Sequence, residues 1–353
     1  MKNILAAILS VSDTVLTDSE KYLLARSNPL GVALFARNLQ NKEQIINLIK
    51  SIKEVIGRED VLIALDEEGG RVNRLLKAGF GDYASQALLA KIGQTEIVQA
   101  HAELISFDML GIGANLNFAP VLDLDYDDTT PALKSRTFSS KPNIVAQYGH
   151  ILWQTYQKNG ICPCIKHLPG HGRATADPHL GLPVITSSLS ALQNDFAPFI
   201  FNKDCPAAMT AHILLPEVDA QNPVTMSKKG IQDIIRGLIG YQGFLISDAL
   251  EMGALKGTIE QRAEASLGAG IDAVCYCMGD IKGLTAVADT NRYLTDSSLE
   301  RFENIRKILK THSTQTNIDF LKQTYYSKLS LFQEDRVNYD ATEVLFKMQK
   351  GEK

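Results

Sequence analysis

Eight short apolar runs, separated by segments of helical periodicity, constrain the fold of this chain more than any other feature. The runs lie at residues 4–10, 31–37, 61–67, 114–121, 162–168, 207–213, 243–249 and 272–277. Segments between them, such as 41–57 and 95–112, place apolar residues at spacings of three and four, which is typical of amphipathic helices. Strands that are apolar throughout and alternate with helices indicate a parallel sheet covered on both faces. Eight such units predict a closed (β/α)8 TIM-type barrel, with an open doubly wound sheet as the alternative.

The length and charge of the chain limit the possible classes of protein. The chain has 353 residues, is 45% hydrophobic and carries a formal net charge of −4. We expect a single barrel domain over 1–311, followed by a C-terminal helical extension or tail over 312–353 that packs on the barrel or binds a partner. The slight negative charge gives no reason to expect nucleic acid, whose phosphates would favour a basic face. No run reaches the roughly 18 apolar residues of a membrane span, so we expect neither nucleic acid nor membrane as a partner.

The N-terminus and the cysteines bear on the compartment. Residues 1–13 faintly resemble a secretory signal, but a buried first strand is the favoured interpretation because the apolar run is short. The five cysteines are an odd number, which argues against a full disulfide framework. The pairs Cys162/Cys164 and Cys275/Cys277 each project to one face of a strand, and their C-x-C spacing is not a standard zinc pattern. We therefore predict buried core thiols and a reducing, cytoplasmic location.

Polar residues fall where four of the predicted strands end. They are Asp66 and Glu67 on the third strand, Lys166 and His167 on the fifth, His212 on the sixth and Asp248 on the seventh. The carboxyl ends of barrel strands share one face, so residues far apart in sequence converge on one pocket. A buried charge without a partner is costly, and its recurrence on four strands indicates a functional site.

The segment 166–183, KHLPGHGRATADPHLGLP, concentrates further titratable groups on a loop rich in proline and glycine. A metal centre has to be considered because several histidines lie here. The first strand lacks an H-x-H pair, however, and no HExxH motif or similar ligand spacing occurs. We therefore expect no metal. We expect His171 to brace the loop by hydrogen bonds.

A metal-free mechanism fits these residues. A carboxylate at the tip of a strand, such as Asp248, can attack an electrophilic carbon. Asp177 and His179 lie two residues apart, so the carboxylate can orient an imidazole that titrates near neutral pH and serves as proton donor. The side chains available to hold substrate hydroxyl groups are Asp66, Arg74, Lys166 and His167. One nucleophile, one acid/base and several hydroxyl contacts fit retaining glycoside hydrolysis. Three other carboxyl groups are less favoured acids: Glu67, Glu68 and Glu251.

Five motifs carry a family resemblance. They are DEEGGRVNRL at 66–75, NFAPVLDLD at 117–125, KHLPGHGRATADPH at 166–179, TAHI at 210–213 and LISDALEM at 245–252. In this order they resemble glycoside hydrolase family 3, and specifically its bacterial single-domain β-N-acetylglucosaminidases that recycle peptidoglycan. The resemblance covers roughly residues 10–300.

The resemblance implies a role for each matched residue. It implies Asp248 as nucleophile and His179 as acid/base, assisted by Asp177. It also implies that five side chains bind an N-acetylglucosamine unit: Asp66, Arg74, Arg136, Lys166 and His167. Neither a metal nor an organic cofactor is implied. The substrate would be a small carbohydrate, either an N-acetylglucosaminyl muropeptide or a chitooligosaccharide.

Two other functions stay open at the level of sequence. One is a phosphorylase of the same family, which would pass the sugar to phosphate through the same intermediate. The other is a non-catalytic sugar-binding barrel, which would bind sugar without turnover. The sequence leaves protein partners and the oligomeric state undetermined.

Overall fold

The computed structural model describes residues 3–311 and 317–333, and its main feature is a closed parallel barrel. The strands are β1 (Leu5–Ser10), β2 (Pro29–Ala33), β3 (Leu62–Leu65), β4 (Glu67–Gly69), β5 (Val72–Asn73), β6 (Leu116–Asn117), β7 (Cys162–Leu168), β8 (Ala207–Thr210), β9 (Phe244–Ala249) and β10 (Ala273–Cys275). The barrel order is β1-β10-β9-β8-β7-β6-β3-β2. Every neighbouring pair in the barrel is parallel, while β4 and β5 form a separate antiparallel hairpin. The predicted (β/α)8 barrel is confirmed, and the open sheet is excluded.

Helices surround the barrel and obey local sequence rules. They are α1 (Asp18–Ser27), α2 (Lys42–Ile56), α3 (Gln86–Ile92), α4 (Thr95–Leu110), α5 (Pro142–Lys158), α6 (Gln193–Phe201), α7 (Ile259–Ala269), α8 (Ile281–Asp289), α9 (Asp296–Leu309) and α10 (Ile318–Leu329), and a π-helix spans Gly230–Leu238. In α2, the Asn41 side chain accepts a hydrogen bond from the Gln44 N–H, and Gly57 ends the helix in the left-handed conformation. None of the described helices is long and apolar enough to cross a membrane.

The two faces of each barrel strand bury different sets of apolar side chains. In β1, Leu5, Ala7 and Leu9 pack outward against the helices. Ala6 and Ile8 alternate with them and fill the barrel interior. This period of two is the signature of a strand buried on both faces.

The cysteines pack as core thiols. The pairs Cys162/Cys164 and Cys275/Cys277 both belong to the cluster that fills the barrel interior. The sequence prediction that each pair projects to one face is therefore confirmed. All five cysteines are buried and free of disulfide bonds.

Several strands are shorter in the structure than the apolar runs suggested, and two of them show a local reason. The run 31–37 gives a strand only to Ala33, because a 3-10 turn over Ala36–Asn38 follows and the Asn38 side chain accepts from the Phe35 N–H at 2.9 Å. The run 114–121 gives only Leu116–Asn117, after which Pro120 supplies no N–H to the ladder. Parallel pairing resumes at Val121, opposite Lys166.

The predicted C-terminal extension is partly described. It contains α10, whose Tyr325 is fully buried. Residues 312–316 and 334–353 of the extension lie outside the described residues. A domain division after residue 311 therefore stays a prediction.

Candidate active site

The carboxyl ends of the barrel strands surround one pocket, and most of the predicted site residues line it. They are Asp66, Arg74, Arg136, Lys166, His167, His179 and Asp248. Asp177 does not line the pocket but contacts it through His179. Side chains from distant parts of the chain thus meet as the topology predicts, since the strands present their carboxyl ends on one face.

One wall of the pocket is a cluster of buried and partly buried charges, here called the ion-pair cluster: Asp66, Glu68, Arg136 and Lys166. Lys166 Nζ lies 2.8 Å from Asp66 Oδ1 and 2.7 Å from Glu68 Oε1. Arg136 contacts Glu68 with two nitrogens, Nε and Nη2, each at 2.8 Å. Such a two-bond contact fixes direction as well as distance. Arg74 Nη2 lies 3.9 Å from Asp66 Oδ2 at the edge of the cluster.

Glu68 and Lys166 stay charged despite their burial. Burial opposes ionisation of Glu68, but Arg136 and Lys166 outweigh this effect and hold the pKa of the carboxyl well below its usual range. Burial likewise opposes the charge of Lys166, but Asp66 and Glu68 outweigh it and raise the pKa of the amine. Fixed charged groups of this kind make strong hydrogen bonds to ligand hydroxyl groups.

The contact between His167 and the carboxylate of Asp123 orients the His167 ring. Its Nδ1 lies 2.6 Å from Asp123 Oδ2, and Asp123 is fully buried. Burial disfavours the charged form of Asp123, but His167 and His171 outweigh it and lower the pKa of the carboxyl. With Nδ1 engaged, the Nε2 atom of His167 is left for a ligand.

His171 braces the loop by hydrogen bonds, as predicted, but it does so through its main chain and not through its ring. The His171 backbone N–H donates to Asp123 Oδ1 at 2.6 Å, whereas neither ring nitrogen has a hydrogen-bond partner within the described residues. Burial lowers the pKa of the His171 imidazole to about 4. The ring is therefore neutral at neutral pH, and the loop is held at this point by the main chain.

Asp248 lies in the pocket as an ionised carboxylate. It is on β9, and its Oδ1 accepts a hydrogen bond from the Ala249 N–H at 2.7 Å. Burial disfavours the charge, but His167, His212 and this N–H outweigh it and lower the pKa of Asp248. A carboxylate held ionised beside a ligand pocket is the form that a nucleophile requires.

Asp177 and His179 form a directly bonded pair. His179 Nδ1 lies 2.7 Å from Asp177 Oδ1, and the same oxygen accepts from the His179 backbone N–H at 2.9 Å. The adjoining backbone is docked on the segment that follows β9. There the Gly253 N–H donates to the His179 carbonyl, and the Ala254 N–H donates to that of Pro178. This docking brings the pair to the strand that bears Asp248.

The three less favoured carboxyl groups differ in their position relative to the pocket and in their pKa. Glu68 belongs to the ion-pair cluster and is not an acid near neutral pH. Glu67 is buried outside the pocket lining, where it accepts from the Leu75 N–H, and burial raises its pKa to about 8. Glu251 lines the pocket and accepts from the Cys277 N–H, and burial raises its pKa to about 7.

His212 lies behind the pocket rather than in it. Its ring is held between Thr225 Oγ1 at 2.8 Å and the Ala249 carbonyl at 3.0 Å. It is absent from the pocket lining. The prediction that its strand end would bring His212 into the pocket is therefore wrong, and its influence on Asp248 is electrostatic.

Sequence reasoning missed the structural importance of Glu68 and Asp123. Both lie within quoted motifs, in DEEGGRV and in NFAPVLDLD. The available signal was charge balance, because Arg136 and Lys166 need a buried anion and His167 needs a carboxylate. Nothing in the spacing of the sequence shows which carboxylate provides it.

Known proteins resemble this chain over most of its length. The model of the glycosyl hydrolase family 3 N-terminal domain matches residues 6–309. The β-hexosaminidase of Bordetella avium is 36% identical over 281 residues, covering 76% of this chain and 79% of that protein. The β-hexosaminidase of Bordetella pertussis is 37% identical over 287 residues, covering 78% and 80%.

A solved structure agrees with these relatives. NagZ from Neisseria gonorrhoeae, solved in complex with N-trifluoroacetyl-D-glucosamine, is 28% identical with a TM-score of 0.80. The similarity covers 93% of this chain and 97% of that one. The chain therefore belongs to glycoside hydrolase family 3, as a glycoside hydrolase of the β-N-acetylglucosaminidase type.

Proposed function

We propose that this chain is a retaining exo-β-N-acetylglucosaminidase that works through a covalent glycosyl-aspartate intermediate. The observation that carries the proposal is the pocket itself. An ionised Asp248 and His179, whose ring contacts Asp177, share it with the ion-pair cluster and with His167. Nucleophile, acid/base and hydroxyl-binding groups are therefore assembled around one cavity.

In the first step, a carboxylate oxygen of Asp248 attacks the anomeric carbon while the glycosidic C–O bond breaks. His179 gives the proton on Nε2 to the departing oxygen, and Asp177 stabilises the ring through Nδ1. In the second step, water attacks the anomeric carbon and gives a proton to His179 Nε2, and the ester bond breaks to restore the Asp248 carboxylate. Two inversions at one carbon retain the configuration.

The ion-pair cluster, together with Arg74 and His167, binds the sugar in this proposal. Asp66 accepts from Lys166 and is 17% exposed, so it can also accept from a sugar hydroxyl. The guanidinium and ammonium groups donate in fixed directions. NagZ has been solved with an N-acylated glucosamine, which supports N-acetylglucosamine as the terminal unit recognised here.

As natural substrate we propose an N-acetylglucosaminyl fragment of peptidoglycan in the cytoplasm. Five buried, free cysteines support a reducing compartment. Comparing turnover of such a fragment with that of a chitin disaccharide tests the choice. A higher kcat/KM for the disaccharide would contradict it.

The decisive experiment measures release of 4-nitrophenol from its β-N-acetylglucosaminide and its β-glucoside. Wild type should hydrolyse only the first. Asp248→Ala should be inactive, and NMR of the first-formed sugar should show the β-anomer. The α-anomer, or full activity of Asp248→Ala, would contradict the mechanism.

The same assay tests whether water or phosphate accepts the sugar, and whether the protein is a non-catalytic sugar-binding barrel. Inorganic phosphate should leave the rate and the products unchanged. Formation of N-acetylglucosamine 1-phosphate would establish the phosphorylase instead. Binding of N-acetylglucosamine by wild type without turnover of either glycoside would indicate a sugar-binding barrel.

A further inference from the structure

The helix α10 lies beyond residues 6–309, which the family model matches, yet it inserts one side chain deep into the barrel domain. Tyr325 is the only residue of α10 that is buried, and it is completely inaccessible to solvent. Its ring packs among other aromatic rings, with centroids 6.3 Å from Tyr83 and 6.0 Å from His101. A polar aromatic group at such depth needs hydrogen-bond partners for its hydroxyl.

Two of those partners belong to different segments of the barrel domain. The Ala84 N–H donates to the Tyr325 hydroxyl at 2.9 Å. The same hydroxyl lies 2.8 Å from Nδ1 of His101, on α4. Burial lowers the pKa of His101 to about 4, so its ring is neutral at neutral pH and one ring nitrogen can accept a hydrogen bond from the hydroxyl.

Ala84 and His101 directly support the turn of the β4–β5 hairpin. Gly69 and Gly70 form this turn with positive φ angles of 88° and 58°. A Cβ on Gly69 would lie 2.8 Å from His101 Cε1 and closer still to the Ala84 carbonyl oxygen. The Gly70 N–H donates to the Tyr83 carbonyl at 2.8 Å. The turn therefore rests on the groups that the Tyr325 hydroxyl joins.

The residue before this turn is Glu68, the anion that pairs with both Arg136 and Lys166. We propose that Tyr325 is a positioning residue for sugar binding, because its hydroxyl joins Ala84 and His101 beneath the turn and so fixes Glu68 within the ion-pair cluster. This inference rests on the proposed function for its link to sugar. The physical link from α10 to the hairpin does not depend on it.

The test compares Tyr325→Phe with Tyr326→Phe in the full chain. Both substitutions remove one hydroxyl from the same helix and keep the ring. Tyr325→Phe should raise KM for the 4-nitrophenyl β-N-acetylglucosaminide, and Kd for N-acetylglucosamine, by about fivefold, the value of one lost hydrogen bond. Tyr326→Phe should leave both constants at wild-type values. An unchanged KM and Kd in Tyr325→Phe would overturn the proposal.

A double-mutant cycle separates positioning from general loss of stability. If Tyr325 acts through Glu68, adding Tyr325→Phe to Glu68→Gln should raise Kd no further. An equal rise in Kd when Tyr325→Phe is added to wild type and to Glu68→Gln would contradict action through Glu68. Should Tyr325→Phe fail to fold, His101→Gln removes the ring nitrogen that the hydroxyl contacts and should give the same shift in KM.

Hydrogen exchange tests the link without any activity. Amides of residues 67–73 should exchange faster in Tyr325→Phe than in Tyr326→Phe or wild type. Unchanged exchange there would overturn the inference, even if the enzyme is active. A wild type that neither binds nor hydrolyses the sugar would instead refute the proposed function, and the exchange comparison would still decide the role of Tyr325.

Discussion

The ion-pair cluster and the Asp177–His179 pair lie at the same pocket but are built in opposite ways. The cluster joins residues up to 100 positions apart, which lie at the end of β3, on β4, on β7 and in the turn before α5. The pair joins two residues on one loop, separated only by Pro178. Substitutions in the cluster should therefore damage both stability and binding, whereas substitutions in the pair should damage the chemistry alone.

The largest effect is expected from Glu68→Gln. Removing one anion leaves the buried charges of Lys166 and Arg136 under-compensated, which should cost about 3–5 kcal/mol of unfolding free energy and most of the sugar affinity. Chemical denaturation and calorimetric titration with N-acetylglucosamine measure the two losses.

Glu67→Gln is the matched control for this variant. Glu67 is the neighbouring buried carboxyl, but it lies outside the pocket lining. The Glu67→Gln variant should retain the sugar affinity of wild type. Equal loss of affinity in Glu67→Gln and Glu68→Gln would show that the hairpin, and not the cluster, sets binding.

His179→Ala should give the converse result, with a loss of kcat but no loss of stability. In the proposed mechanism His179 is the general acid/base, and removing such a group typically lowers kcat by about 10²–10⁴-fold. Thermal unfolding should stay at the wild-type midpoint, because the side chain contacts mainly its own loop. A fall in the midpoint comparable with that of Glu68→Gln would erase the contrast between the two regions.

Asp177→Asn should have a smaller effect on the same step. The amide keeps the shape of the side chain but removes the negative charge that, in the proposed mechanism, stabilises the His179 imidazolium, and kcat should fall about tenfold to a hundredfold. Burst kinetics and steady-state kinetics report whether proton transfer limits the rate. Wild-type kcat in this variant would mean that His179 acts without Asp177.

The prediction with the least bearing on activity is a pH dependence of stability at Glu67. The folded state raises the pKa of this carboxyl from 4.5 to about 8. Its contribution to stability is full below about pH 4.5 and is lost as the pH rises through about 8, because the unfolded chain releases the proton first. Glu67→Gln should therefore be more stable than wild type at pH 9, and the gain should vanish near pH 4. A constant difference across this range would contradict the raised pKa.

Short-range features of the chain were predictable from the sequence. The alternation of apolar runs and helical segments gave the barrel, and the spacing of Asp177 and His179 gave their contact. The predicted strand over 114–121 was too long, since hydrophobicity does not reveal where the hydrogen-bonded ladder is interrupted at Pro120. The prediction for His212 failed for a related reason: proximity to the end of a strand does not show which side chain faces the pocket.

Partners across the barrel depended on tertiary structure. Glu67 and Glu68 are adjacent and chemically identical, yet one is a buried acid with a raised pKa and the other is the anion of the ion-pair cluster. The alternating faces of a strand place them in opposite surroundings. Likewise, the polar sequence of α10 gave no sign that Tyr325 would contact Ala84 and His101.

The sequence by itself determined the (β/α)8 barrel, the family motifs and the local Asp177–His179 pair, because periodicity and short spacing act over a few residues. Only the tertiary structure decided which carboxylates pair with Lys166, Arg136 and His167. It also decided which tyrosine lies beneath the turn of the β4–β5 hairpin. The physical reason is that a buried charge or hydroxyl must be paired. The partner is chosen by distance in the folded chain, which separation along the sequence does not encode.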